Sequence, residues 1–211
     1  MEFNDFVIST GEKKILISAP HAVDQIREGK PKFAEPETAL LAKEFNKLGY
    51  PTIVKTKNAN DDANYDLDCG YKRELLKFCR ENDIQFVVDL HQLSEKREID
   101  ICFGTGDANN KNLLGKSEII DSIKEIKNNF IITVNDPFPA PPRTVSGFCA
   151  SNNIPALQIE INSRLIAEKR LNATQFDSVL KYIIDILEVI EKNIFKNNLA
   201  IWAKFFNTFL Y

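Results

Sequence analysis

The chain contains two histidines, His21 and His91, and each stands just beyond a short apolar run. His21 closes Ser18-Ala19-Pro20-His21 after the run 14–18. His91 lies in Asp89-Leu90-His91-Gln92 after the run 85–89. If both runs are strands of a parallel sheet, the two imidazoles emerge at carboxyl ends, where α/β sheets carry their ligand sites. Two imidazoles and one carboxylate, with a fourth position left open, form the donor set of a catalytic zinc. Spacing alone leaves open that the two histidines are unrelated.

Two acids compete for the carboxylate. Glu35 and Glu37 share Ala34-Glu35-Pro36-Glu37-Thr38, where Pro36 suits the first turn of a helix. An acid at a helix start also favours the helix dipole without any metal. Glu160 is a third acid of a different kind, set inside Leu157-Gln158-Ile159-Glu160-Ile161-Asn162. A carboxylate within an apolar strand is costly unless it is paired or near a metal. Such a group can take a proton from an attacking water and return it to a leaving nitrogen. A strand-end Glu paired with Arg164 is the plainer alternative.

Arg27, Arg73, Arg143 and Arg164 can each grip a carboxylate with a two-pronged contact. Asn64 sits in Asp62-Ala63-Asn64-Tyr65-Asp66, within a stretch rich in Asn and Asp that reads as a loop of turns. The Gly and terminal Glu of a calcium-binding EF-hand loop are misplaced there. Gly104-Thr105-Gly106 lacks the third glycine of a dinucleotide site. No Gly-x-Ser-x-Gly elbow supports Ser146 as a nucleophile. Cys69, Cys79, Cys102 and Cys149 form no CxxC pair, so buried, reduced thiols are expected.

The elements that must position these residues alternate along the chain. Strands are expected over 14–18, 52–54, 85–89, 99–103, 130–134 and 156–161, and helices over 37–48, 71–82, 117–127 and 174–195. Alternation of this kind predicts an α/β three-layer sandwich with a largely parallel or mixed central sheet. The 211 residues suit one domain, 1–211, since single domains reach ~250 residues before splitting. The proline-rich segment 135–142 reads as a stiff loop able to wall a pocket. The aromatic tail, about 197–211, is expected to dock on the domain or to join a second copy. A net charge of −3 without a basic stripe argues against nucleic acid as partner. No stretch reaches the ~18 apolar residues of a membrane span. The start of the chain shows no signal peptide, so a cytoplasmic location is expected.

Taken in order, Ser18-Ala19-Pro20-His21, Ala34-Glu35-Pro36-Glu37-Thr38, Asp62-Ala63-Asn64, Asp89-Leu90-His91 and Gln158-Ile159-Glu160-Ile161-Asn162 resemble the N-formylglutamate amidohydrolase family, whose fold is similar to that of zinc carboxypeptidases. The resemblance implies a zinc or other divalent ion held by His21, Glu35 and His91, with Glu37 as the rival acid. It implies Glu160 as general base. Arg143 is expected to steady the oxyanion or the substrate carboxylate. Asn64, Arg73, Asn162 and Arg164 are read as substrate-binding. The activity implied is hydrolysis of an N-acyl amide of a small acidic amino acid, with N-formyl as one candidate acyl group. A carboxypeptidase-like or γ-glutamyl amide hydrolase is the alternative, and a non-catalytic α/β binding protein the alternative of another class. The chain departs from the family pattern at Tyr65, where an arginine is frequent, and at Gln92, where a glycine is common.

Overall fold

The computed structural model describes residues 5–167 and 173–208, with side chains as far as Ile194. The strands are β1 (Phe6–Ser9), β2 (Ile15–Ala19), β3 (Gln25–Arg27), β4 (Lys30–Lys32), β5 (Thr52–Lys55), β6 (Phe86–Leu93), β7 (Ile101–Gly104), β8 (Ile132–Val134) and β9 (Ala156–Asn162). The helices are α1 (Pro36–Lys47), α2 (Gly70–Glu81), α3 (Glu118–Lys124), α4 (Val145–Ser151), α5 (Ser163–Ile166) and α6 (Ala173–Thr208). Seven strands form one sheet in the order β1-β5-β2-β6-β9-β7-β8, and β3 pairs with β4 as a separate hairpin. The middle four, β5, β2, β6 and β9, run parallel. β1 and β7 run antiparallel to their inner neighbours, which makes the sheet mixed.

Strand alternation divides the buried residues between two faces. Ile15, Ile17, Val88, Leu90, Leu157 and Ile159 point to one side, where α1, α3 and α6 supply Leu41, Phe45, Ile120, Ile183 and Leu187. Leu16, Val87 and Ala156 point to the other, covered by Tyr71 and Leu75 of α2 and by Val145 and Cys149 of α4. The result is the three-layer α/β sandwich expected from the sequence. On the second face the apolar side chains give way to polar ones toward the strand ends. Ser18, Asp89, His91, Gln158 and Glu160 follow one another there at two-residue spacing, and all are buried. This is where the apolar side chains of the strands end, and where the candidate site lies.

The remaining differences from the sequence reading have local causes. β1 is a short edge strand with Val7 54% exposed, so it carries little hydrophobic signal. The β3–β4 hairpin is polar. α4 contains Ser146 and Gly147, poor helix formers, and is held by its cap, since the Thr144 hydroxyl accepts from Gly147 N. β6 continues to Leu93, so His91 sits within the strand rather than after it. The four cysteines are free and buried, as expected. The side chains of the tail 197–211 lie outside the described residues. Among the described residues no helix is long and apolar enough to cross a membrane.

Candidate active site

His21 follows β2 and His91 lies near the carboxyl end of the adjacent, parallel β6, so the rings meet edge to face with centroids 4.8 Å apart. Between them stands Glu35. Its Oε1 is 3.1 Å from His21 Nδ1 and its Oε2 is 3.1 Å from His91 Nδ1. Glu35 is the N-cap residue of α1, yet its carboxylate does not cap that helix. It accepts instead from Gln92 N at 3.0 Å and from Lys32 Nζ at 2.6 Å. One donor atom from each of His21, Glu35 and His91 lies within 4.8 Å of the others. Glu37 is partly exposed and takes no part in this cluster. The structure thus separates the two acids that sequence left as rivals.

Each imidazole is held from behind by a second carboxylate. His21 Nε2 lies 2.7 Å from Asp62 Oδ1, and His91 Nε2 lies 3.0 Å from Asp89 Oδ2. Asp62 is fixed in turn by Arg27 Nε at 2.7 Å and by Asn64 N at 2.9 Å. Asp89 is fixed by the Ser18 hydroxyl at 2.8 Å. Carboxylates behind histidine ligands set the tautomer and ring orientation in metal sites. Here they pin both Nε2 atoms and leave both Nδ1 atoms facing Glu35. Around the two buried rings stand three carboxylates, Glu35, Asp62 and Asp89, against the two cations Lys32 and Arg27. Burial pushes the His91 pKa down, but Asp89 and Glu35 override it and hold it well above the ordinary value. Burial works to raise the Glu35 pKa, but His21 and His91 bring it well below the ordinary range. Two imidazole nitrogens and a carboxylate with this charge balance fit a divalent cation such as zinc.

Glu160 stands beside His91 in the register of β6 and β9. It takes part in none of the metal-type contacts, and Gln158 Nε2 donates to its Oε1 at 3.0 Å. Burial, with the charge of Glu35 adding to it, raises its pKa to about 7, against the pull of His91, His21 and Lys32. A carboxylate that titrates near neutrality is suited to both accepting and returning a proton.

These groups open onto a cavity of about 470 Å³. One wall is the proline-rich loop, through Pro137, Phe138, Pro139 and Pro141. That loop is braced from behind by Gly106 N on Pro139 O at 2.6 Å and by Asn112 Nδ2 on Ala140 O at 2.8 Å. Gly104 and Gly147 let it approach, since a Cβ on Gly104 would lie 2.7 Å from Phe138 O and one on Gly147 2.3 Å from Pro141 O. Gly104 therefore serves packing, and Ser146 is buried and does not line the cavity. The opposing loop presents Asn64 and Tyr65, with Asn64 Oδ1 accepting from Val145 N at 2.7 Å. Buried Lys72 ties that loop to the Arg143 segment by donating to Asp66 O and Arg143 O.

The structure brings His21, Glu35, His91, Glu160, Asn64 and Arg143 to one cavity. It does not bring Arg73, Asn162 or Arg164 there. Arg73 pairs with Asp68 in solvent at 2.6 Å. Asn162 spends its amide on Arg97 O and Ile99 O and its Oδ1 on Arg164 N. Arg164 pairs with Asp100 at 2.6 Å. Sequence reading gave no site role to Asp62, Lys32 or Arg97. It also gave Asp89 no role, although the two-residue step to His91 already places both on one face of a strand.

No protein-family profile and no curated protein matches the sequence. Solved structures do share the architecture. A gene product of Agrobacterium tumefaciens superposes with a TM-score of 0.62, covering 90% of this chain and 97% of that one at 12% identity. The fold also resembles that of an N-formylglutamate amidohydrolase. That protein, from Ralstonia eutropha JMP134, gives a TM-score of 0.51 at 12% identity, over 89% of this chain and 98% of its own. A bacteriophage poly-γ-glutamate hydrolase gives 0.52 at 17% identity, over 89% and 88%. At these identities the likeness is one of fold.

Proposed function

We propose that the protein is a metal-dependent amidohydrolase that cleaves an N-acyl amide, with N-formyl as the first candidate, of a small acidic amino acid. The observation that carries this is the convergence of His21, Glu35 and His91 beside a buried Glu160, at the foot of a cavity with more basic than acidic side chains. Arg27, Lys32, Arg97 and Arg143 line it against Glu35 and Glu160, in a chain whose net charge is −3. His21, Glu35 and His91 would hold the ion. When bound, a zinc ion there supplies Lewis acidity toward the amide carbonyl and lowers the pKa of water toward ~7.

The chain's own residues do the rest. Glu160, ionised in part at neutral pH, takes a proton from the attacking water and delivers it to the departing amine nitrogen. Asp62 and Asp89 keep the rings oriented while charge develops. Arg143 neutralises a substrate carboxylate or the developing oxyanion. The proline-rich wall and the loop of Asn64 confine the substrate between them. Likeness of fold to a poly-γ-glutamate hydrolase supports a γ-glutamyl amide as the second reading.

The test is elemental analysis of the purified protein, followed by assays on N-formylglutamate, other N-acyl acidic amino acids and γ-glutamyl peptides, with and without chelator. Hydrolysis that stops with chelator and returns with metal is expected. His21→Ala and His91→Ala are each expected to lose bound metal; full occupancy in both would overturn the ligand assignment. A non-catalytic binding protein would show no turnover on any of these amides, and no effect of Glu160→Gln.

A further inference from the structure

Of the four basic side chains on the cavity wall, two are already engaged: Arg27 with Asp62 and Lys32 with Glu35. Arg97 and Arg143 meet no carboxylate among the described residues. Each is held instead by an aromatic ring. The Arg143 guanidinium lies 4.3 Å from the Tyr65 ring centroid, and that of Arg97 lies 5.0 Å from the Phe138 centroid. A guanidinium set against an aromatic ring rather than a carboxylate has N–H groups left to offer an incoming anion. Asp100, three residues further on, is taken by Arg164.

The segment carrying Arg97 is pinned to the end of β9, the strand that bears Glu160. Arg164 Nη1 donates to Arg97 O at 2.7 Å. Asn162 Nδ2 donates to Arg97 O at 3.0 Å and to Ile99 O at 2.8 Å. Arg164 Nη2 reaches Asp100 Oδ1 at 2.6 Å. Two residues expected to touch substrate therefore act on the backbone of a third, which sequence reading passed over.

We propose that Arg97 recognises a second anionic group of the substrate, distinct from the one met by Arg143, and that Asn162 and Arg164 are its positioning residues. The proposal rests on the amidohydrolase reading for the identity of the substrate but not for the binding itself. Two separately held guanidinium groups select a compound with two carboxylates over one with a single carboxylate.

The experiment is calorimetric binding of glutarate and butyrate to the full chain, which compares a dicarboxylate with a monocarboxylate lacking the second anion. The wild type is expected to prefer glutarate by roughly tenfold or more, the scale of a charge-assisted hydrogen bond. Arg97→Met is expected to bring that ratio close to one while the fold is kept. Arg164→Lys keeps a cation beside Asp100 but gives up the fork onto the carbonyls, and is expected to lower the ratio severalfold with an unchanged melting temperature. A wild-type ratio near one, or a ratio untouched by Arg97→Met, overturns the Arg97 site. A ratio untouched by Arg164→Lys overturns the positioning role. A protein that prefers glutarate through Arg97 yet hydrolyses no N-acyl amino acid supports this site and sinks the amidohydrolase reading. One that hydrolyses N-formylleucine as fast as N-formylglutamate, with a ratio near one, does the reverse.

Discussion

Replacing Glu160 by glutamine changes one atom type in a buried position and removes one titration. Gln158 still has an oxygen to donate to, so the local hydrogen bond survives. In the folded chain burial raises the Glu160 pKa from an ordinary 4.5 to about 7. The unfolded chain releases this proton near 4.5, whereas the folded chain holds it until about 7. The carboxyl therefore favours folding fully below 4.5. That contribution is lost as pH rises from about 4.5 to about 7, and stays lost above. The gap between the two values corresponds to about 3 kcal/mol. Urea unfolding of the metal-free protein in chelator, at pH 4 and pH 8, measures it. Groups distant from Glu160 are common to both proteins and cancel in the difference, whereas Glu35, His91 and His21, whose charges act on Glu160, shift with it, so the figure is for the coupled cluster. Relative to wild type, Glu160→Gln is expected to gain about 3 kcal/mol between the two pH values. Parallel stability profiles would show that Glu160 ionises as freely as an exposed acid, and would remove the reason for making it the proton carrier. With metal restored, the same variant is expected to lose about 10²–10⁴ in kcat.

Two further outcomes follow from particular contacts. Asp89→Asn leaves His91 in place but replaces the carboxylate behind its Nε2, so metal affinity in a competitive chelator titration is expected to fall roughly 10- to 100-fold; an unchanged Kd would mean that the His91 orientation is set elsewhere. Gly147→Ala puts a Cβ 2.3 Å from Pro141 O and 2.6 Å from Pro142 Cα, both backbone atoms. Thermal or urea melts should show a loss of about 1–3 kcal/mol, and an unaltered melt would show the proline-rich wall to be loosely packed.

Much of the site was legible before any fold was known. Two histidines after two apolar runs, and a glutamate inside a third, already pointed to the carboxyl edge of a parallel sheet. Glu35 and Glu37 could not be separated in the same way, because both are compatible with the start of a helix behind Pro36. What distinguishes them is that the Glu35 carboxylate turns away from its own helix toward two rings donated by β2 and β6. Arg97 was hidden in the charged run Glu95-Lys96-Arg97-Glu98, which reads as a solvated loop. Arg164 looked like a substrate clamp because a free guanidinium and one committed to backbone carbonyls have the same letter in a sequence.

Local order was therefore written in the chain itself. Apolar periodicity, Pro36 at a helix start and the stiff run of prolines depend on neighbours within a few residues, and they determined the α/β alternation and the wall of the pocket. Convergence was decided only by the tertiary structure. Strand order places β6 between β2 and β9, and register sets His91 beside Glu160. Each polar side chain must then find a partner or face the cavity, because an unpaired charge in a buried place is costly. Which of them do so depends on distances between residues far apart in sequence, and no local pattern encodes those distances.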